Sequence, residues 1–286
     1  MNAYAEFVAG FGKLIAEGKT LPLGGFPPLA LPKLPPTAPK ALIFSPHPDD
    51  EVIVGGLPLR LLRELRMNVI NVAVTLGSNQ PRRAERWKEL TACCRQIGFG
   101  LTATRPNGLE GINLKDRAQN PNQWAQSTER IAEIILEHQP RVIFFPHAED
   151  WNSSHVGTHH LVIEALRRLG SSFACYTVET EFWGAMTTPN LMVESSERDV
   201  TELLIALSCH AGEVRRNPYH LLMPAWLIDN VRRGTELVGG QGGAAPNFLF
   251  ATLYRLRRWE KGELGSLFEG GKFASRSDDL SPFFAG

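Results

Sequence analysis

The chain has 286 residues, 43% hydrophobic and 21% charged. These are the proportions of an ordinary globular protein, long enough for one large α/β domain or two small ones. Thirty Lys and Arg balance thirty Asp and Glu, which excludes the basic footprint of a nucleic-acid-binding surface. No apolar stretch is long enough to cross a membrane. The first residues lack the basic-then-apolar pattern of a secretory signal. The four cysteines (Cys93, Cys94, Cys175, Cys209) lack metal-finger spacing, so a cytoplasmic, reducing setting is expected.

In chain order, residues 3–17 place Phe7, Phe11, Leu14 and Ile15 at helical spacing, which predicts an amphipathic helix laid on the domain. Residues 18–40 hold many Pro and Gly and form neither helix nor central strand; they are expected to form an extended arm that either packs on the domain or, the preferred reading, serves oligomer contacts. Ala41-Leu42-Ile43-Phe44 reads as a buried strand, followed by a helix over 56–66, a second strand over 69–74 and a long helix over 82–97 with Gly98 as C-cap. A short strand at 101–104, a polar loop over 107–121 and a helix over 124–137 lead to the strand Arg141-Val142-Ile143-Phe144-Phe145. A helix from His155 to Leu169, a strand within 173–182 and a helix over 199–209 follow. Residues 238–247 form a Gly-rich loop, 249–256 a last strand or helix, and the polar tail from Gly265 is anchored by its Phe residues. Either loop, 107–121 or 238–247, is placed to close a site.

Strands alternating with helices predict an α/β domain: a three-layer, Rossmann-like, mostly parallel sheet with helices on both faces. One domain over 1–286 is expected, with residues 1–40 as a helix and arm and 211–286 as a C-terminal extension. There is no internal repeat. No Gly-x-Gly-x-x-Gly follows the first strand, against a dinucleotide fold of the usual kind.

The chemistry concentrates just past the first strand, in Ser45-Pro46-His47-Pro48-Asp49-Asp50-Glu51. Ligands of open α/β sheets bind at the carboxyl ends of strands. His47 and Asp50, three apart, can turn toward one divalent cation, an imidazole nitrogen and a carboxylate oxygen suiting zinc. Asp49 is then free as a base, or caps the following helix. A second His-rich stretch, Pro146-His147-Ala148-Glu149-Asp150-Trp151-Asn152-Ser153-Ser154-His155, follows another apolar strand about 100 residues on. Trp124, Trp151, Trp183 and Trp226 are core or rim residues, and Trp151, beside this stretch, can stack on a sugar ring.

These features resemble the LmbE-like, or PIG-L, N-acetylglucosaminyl deacetylases. The likeness lies in Pro46 to Glu51, in Arg86-x-x-Glu89 with Cys93 and Ile97-Gly98, in Pro146 to His155 with Val162 and Ala165, and in Ala206-Leu207 with His210. It spans roughly Lys40 to His210, and the length and position of the arm also look like the diacetylchitobiose deacetylase branch. The resemblance implies metal-dependent removal of an acetyl group from an amino-sugar substrate. His47, Asp50 and His155 would hold Zn2+ (or another divalent ion such as Fe2+), with His159 competing for the place of His155. Asp49 would act as base and Arg86 would bind substrate. No nucleic-acid or membrane partner is expected, and a homo-oligomer is.

The chain departs from the family pattern at two places. Asn152 stands where many members have His, and Ser154 where they have Asp. Neither donates a proton near neutral pH. Asn152 is left to hydrogen-bond an oxyanion, and the acid falls to His210, His147, His159 or the base once protonated.

Overall fold

The structure, a computed structural model, describes residues 2–284. In order the elements are α1 (Ala3–Gly18), β1 (Lys40–Ser45), α2 (Asp50–Ile53), α3 (Leu57–Arg63), β2 (Asn68–Ala73), α4 (Arg83–Ile97), β3 (Gly100–Ala103), α5 (Leu114–Gln119), α6 (Pro121–His138), β4 (Val142–Pro146), α7 (Ser153–Arg168), β5 (Cys175–Thr180), β6 (Leu191–Ser195), α8 (Glu197–Leu207), α9 (Ala211–Arg216), α10 (Met223–Leu237), β7 (Phe250–Glu260), β8 (Glu263–Ser266) and β9 (Lys272–Ala274). Among the described residues the strands form one nine-stranded sheet, ordered β3-β2-β1-β4-β5-β7-β6-β9, with β8 paired to β7. From β3 to β5 all neighbours are parallel. β7 runs antiparallel to both β5 and β6.

Helices cover both faces, and this explains the unbroken apolar runs of β1 and β4. Side chains alternate across a strand. Ala41 and Ile43 therefore pack with Val52, Leu57, Leu90, Cys93 and Leu203 of α2, α3, α4 and α8. Leu42 joins Ile131, Ile135, Leu161 and Val162 of α6 and α7 on the other face. Cys93 and Cys94 are buried and free, and burial pushes both thiols well up. The sheet is thus mostly parallel, within an α/β architecture as expected.

Several elements differ from the sequence expectation. α1 is not laid on the domain: none of its residues is buried, and Tyr4, Phe7, Val8, Phe11 and Leu14 all face outward. The apolar residues do share one stripe, but among the described residues nothing packs against it. Half of the expected 107–121 loop is α5, whose start Asn113 caps by accepting from the Asp116 N–H at 2.9 Å. The ambiguous 249–256 segment is a strand, β7, eleven residues long. β6, α9, α10, β8 and β9 went unforeseen. α8 begins two residues earlier than expected because Ser196 and Asp199 form a capping box.

Gly98 ends α4 at φ 81°, where only glycine sits without strain. A Cβ there would lie 1.9 Å from Leu31 Cδ1 of the arm. Gly98→Ala is expected to lower stability by about 1–2 kcal/mol, from backbone strain and displaced arm packing. A denaturation midpoint that moves by less than the error of the curve would contradict this.

Candidate active site

The order β3-β2-β1-β4-β5 reverses direction between β1 and β4. Chains leaving these neighbours diverge, and a crevice opens between their carboxyl ends. The loop after β1 is pinned at its first residue. The Pro46 carbonyl accepts from the Thr75 hydroxyl at 2.7 Å and from the Thr75 N–H at 3.2 Å. The loop after β4 is wound around Asp150, which accepts from the N–H groups of Asn152 (2.8 Å), Trp183 and Gly184 (3.2 Å each).

This arrangement brings together three of the sequence-predicted residues. His47 Nδ1 lies 3.2 Å from His155 Nε2 and 3.4 Å from Asp50 Oδ2. His155 Nε2 lies 3.3 Å from the same Asp50 oxygen. For a tetrahedral ion with bonds of about 2.0–2.1 Å, two ligand atoms stand roughly 3.3 Å apart, so the three donor atoms have the spacing of three corners of such a site. Behind them, His155 Nδ1 faces Asp150 Oδ2 at 3.5 Å, the carboxylate–imidazole pairing that orients metal-binding histidines. The donor set (two imidazoles and one carboxylate) suits zinc or a similar divalent ion.

The charges are set by proximity. Burial works against ionising Asp50, but His155 and His47 outweigh it and hold the carboxyl well below its usual range. Burial also disfavours a charged His155, yet Asp50 and Asp150 raise its pKa to about 9. Asp49 goes the other way. Burial and then the Asp50 charge lift it to about 7, against the opposing pull of His210, Arg86 and the Tyr219 hydroxyl. A carboxyl poised there can both take and return a proton at neutral pH.

Asp49 is also strained, at φ 114°. It does not cap α2 with its side chain. Its N–H donates to Glu51 Oε2 at 2.8 Å and its Oδ2 accepts from Tyr219 Oη at 2.5 Å. The loop holds this conformation because both ends of the residue are engaged.

The remaining predicted residues are placed as follows. Asn152 caps α7: its Oδ1 accepts from the N–H of Ser154 at 2.9 Å and of His155 at 3.4 Å, leaving its amide nitrogen as the available donor. His210 is wholly buried beyond Asp49, its Nε2 2.6 Å from Glu51 Oε1, and it has no open path to a leaving group. Arg86 donates to the Pro48 carbonyl at 3.1 Å and lies beside Glu213, so it braces the motif loop. Glu89 does not pair with it but accepts from the Gly212 N–H at 2.7 Å. Trp151 is 77% exposed on the rim. His159 is not in the donor triangle, its Nδ1 lying 3.0 Å from the Pro146 carbonyl. His147 has both ring nitrogens on backbone, accepting from the Glu149 N–H at 3.2 Å and bonding the Gly184 carbonyl at 2.9 Å.

Sequence reasoning missed Tyr219, Glu213 and the pairing of Glu51 with His210. Tyr219 and Glu213 lie beyond the region of resemblance, and no local pattern marks them. Burial pushes Tyr219 far up, with the Asp49 charge acting in the same direction, so it serves as a neutral donor.

Two outcomes follow from this geometry. Asp49→Gly relieves a backbone strain of order 1–3 kcal/mol, so the metal-free variant is expected to unfold at a higher temperature than the parent, and a lower one would contradict the strain. Burial depresses His159 from 6.5 to about 4, with Arg257, His160 and His147 adding to it, and Glu179 Oε1 stands 3.4 Å away. A group with a depressed folded pKa contributes stability above its unfolded value, which is lost as pH falls through the folded one. Between pH 6.5 and 4 the protein should lose up to about 3 kcal/mol on this account. His159→Gln should flatten that part of the stability profile, and an unchanged slope in the variant would refute the assignment.

Residues 42–166 match the PIG-L family, described as GlcNAc-PI de-N-acetylase. The chain is 26% identical over 152 residues to 1D-myo-inositol 2-acetamido-2-deoxy-alpha-D-glucopyranoside deacetylase of Nocardia farcinica (strain IFM 10152), covering 44% of this chain and 51% of the relative. It thus spans about half the length of that curated relative. Among solved structures it is similar to N,N'-diacetylchitobiose deacetylase from Pyrococcus horikoshii, with TM-score 0.54 and 17% identity over 92% of this chain and 94% of the other. It is also similar to GalB, the 4-carboxy-2-hydroxymuconate hydratase from Pseudomonas putida KT2440, with TM-score 0.53 and 17% identity over 76% of this chain and 95% of the other. At such identities the likeness is one of fold, and one fold here serves a deacetylase and a hydratase. The match to the PIG-L (LmbE-like) family thus lies in residues 42–166, the segment that carries the Pro46–Glu51 loop and His155.

Proposed function

We propose that this protein is a metal-dependent hydrolase that removes the N-acetyl group from an N-acetylglucosamine-type sugar or conjugate. The observation that carries the reading is the His47–Asp50–His155 triangle with Asp49 beside it. The family of the matched segment and the deacetylase named among its relatives support it. His47, Asp50 and His155 would hold the ion, Zn2+ or another divalent metal such as Fe2+. When bound, such an ion supplies Lewis acidity, polarising the amide carbonyl and making water more acidic.

The chain's own residues account for the protons. Asp49 accepts a proton from the attacking water as the new C–O bond forms. The C–N bond then breaks, and the amine needs a proton in order to leave. His147 is engaged on both ring nitrogens, His159 faces a carbonyl, His210 is enclosed with Glu51, and Asn152 and Ser154 are not acids. By elimination Asp49 returns the proton it took. The free amide N–H of Asn152 is the donor available to an oxyanion. Arg86 keeps the motif loop in place through Pro48, and Trp151 offers a ring to the sugar at the rim.

A second reading is favoured by one specific observation. Asn152 spends its oxygen on capping α7, and Ser154 replaces the acidic residue of the family pattern. A carbohydrate-binding protein with a disabled site would show both.

Acetate release from a panel of N-acetylglucosamine compounds, with and without chelator and with zinc restored, separates the two. The expected result is release that chelation abolishes and metal restores. Asp49→Asn is expected to lower turnover by about 10²–10⁴-fold. His155→Ala is expected to lose bound metal by elemental analysis while keeping its far-UV circular dichroism. Sugar binding without release by the metal-loaded protein would establish the second reading instead.

A further inference from the structure

The site has two flanks of opposite character. Toward β2, a cleft of about 350 Å3 is lined by polar residues that include Thr75, Ser78, Gln80, Glu110, Asn113 and Ser154, and it opens onto His47. Beyond β5, on the opposite side of the β1/β4 crevice, lies a cavity of about 220 Å3 lined by Ile53, Phe182, Trp183, Tyr219, Met223 and Trp226. The Tyr219 hydroxyl is its one polar group among these, apart from the Trp ring nitrogens, and that hydroxyl is turned to Asp49.

The cavity shares walls with the reacting groups. Tyr219 reaches Asp49 Oδ2 at 2.5 Å. The Phe182 ring lies edge-on to His155 with centroids 4.7 Å apart, and Ile53 is the last residue of the short helix that Asp50 begins. Of the two groups that the amide joins, the acyl chain is the one that suits this apolar lining. The hydroxylated part of an amino sugar finds its partners on the other flank. An acetyl methyl leaves most of this volume unfilled, since the space equals that of about seven water molecules at liquid density.

Resting on the amide-hydrolase reading above, we propose that the apolar cavity is an acyl subsite, and that the substrates are amino sugars N-acylated by a linear chain longer than acetyl. Hydrolysis adds water across the C–N bond and releases the fatty carboxylate and the free amine, with no further reactant. The residues that make the subsite lie mainly in 182–226, outside the segment matched to the family. A chain with a common metal motif thereby acquires its own acyl preference.

The test is kcat/KM for N-acetyl-, N-butanoyl-, N-hexanoyl- and N-octanoylglucosamine, each as the methyl glycoside, with zinc-loaded protein. N-Acetylglucosamine carrying hexyl or octyl aglycones forms a second series. Burial of one methylene is worth about fourfold, so a rise of at least tenfold from acetyl to hexanoyl is expected, with little change along the aglycone series. Leu222→Trp, at a position 57% exposed and lining the cavity, should abolish the preference for long chains, bringing kcat/KM for hexanoyl down to or below that for acetyl in the same variant. Turnover of acetyl with falling rates for longer acyl chains overturns the subsite and leaves the hydrolase reading standing. A rise along the aglycone series alone assigns the cavity to the aglycone and likewise overturns the proposal. No turnover of any amide overturns both.

Discussion

A carboxylate that is 2% exposed must be compensated by what surrounds it, and Asp50 sets this requirement for the whole site. Its Oδ2 accepts from the His47 N–H at 2.8 Å and faces the rings of His47 and His155. The two rings come from points 108 residues apart. They meet because β1 and β4 are adjacent in the sheet, and because Asn152 and Asp150 fix the start of α7. A divalent ion at that spacing would replace proton-mediated compensation with direct charge. The sheet order, the two strand-end loops and the cap of α7 all serve that one buried charge.

Around this centre lies a ring of supports that the chemistry uses indirectly. Arg86 holds the Pro48 carbonyl, Glu51 holds the Asp49 N–H, and His210 holds Glu51. Together they keep Asp49 in a backbone conformation that a free Asp avoids. Tyr219 closes the arrangement from the C-terminal region. The base is positioned by four segments of chain, whereas the metal donors come from two.

How much of this was legible in the sequence follows from how local each signal is. The parallel half of the sheet announced itself through unbroken apolar strands, and the Gly98 cap through its chemistry. His47, Asp49 and Asp50 fall within one heptapeptide, so their proximity needed no tertiary knowledge. Asn152 read as an oxyanion donor because its role as a cap depends on where α7 begins. Arg86 and Glu89 lie on one helix, yet one bonds the motif loop at Pro48 and the other the start of α9 at Gly212. Tyr219 is set beside Asp49 by a contact 170 residues away in sequence, which no spacing rule reaches. α1 misled for a different reason: apolar residues at helical period state that a helix has a face, not what that face meets.

The insertion of β7 between β5 and β6 bears on how the chain is made. β6 precedes β7 by more than fifty residues, yet every bond that joins it to the parallel strands runs through β7. While the polypeptide emerges from the ribosome, β5 offers an open parallel edge and β6 is stranded without a neighbour. Both are buried strands in the finished protein, and exposed strand edges are the sites of intermolecular pairing. β5 and β6 are joined only after residue 260 has been synthesised, so the synthesis of β7 is the step on which solubility of the nascent chain turns.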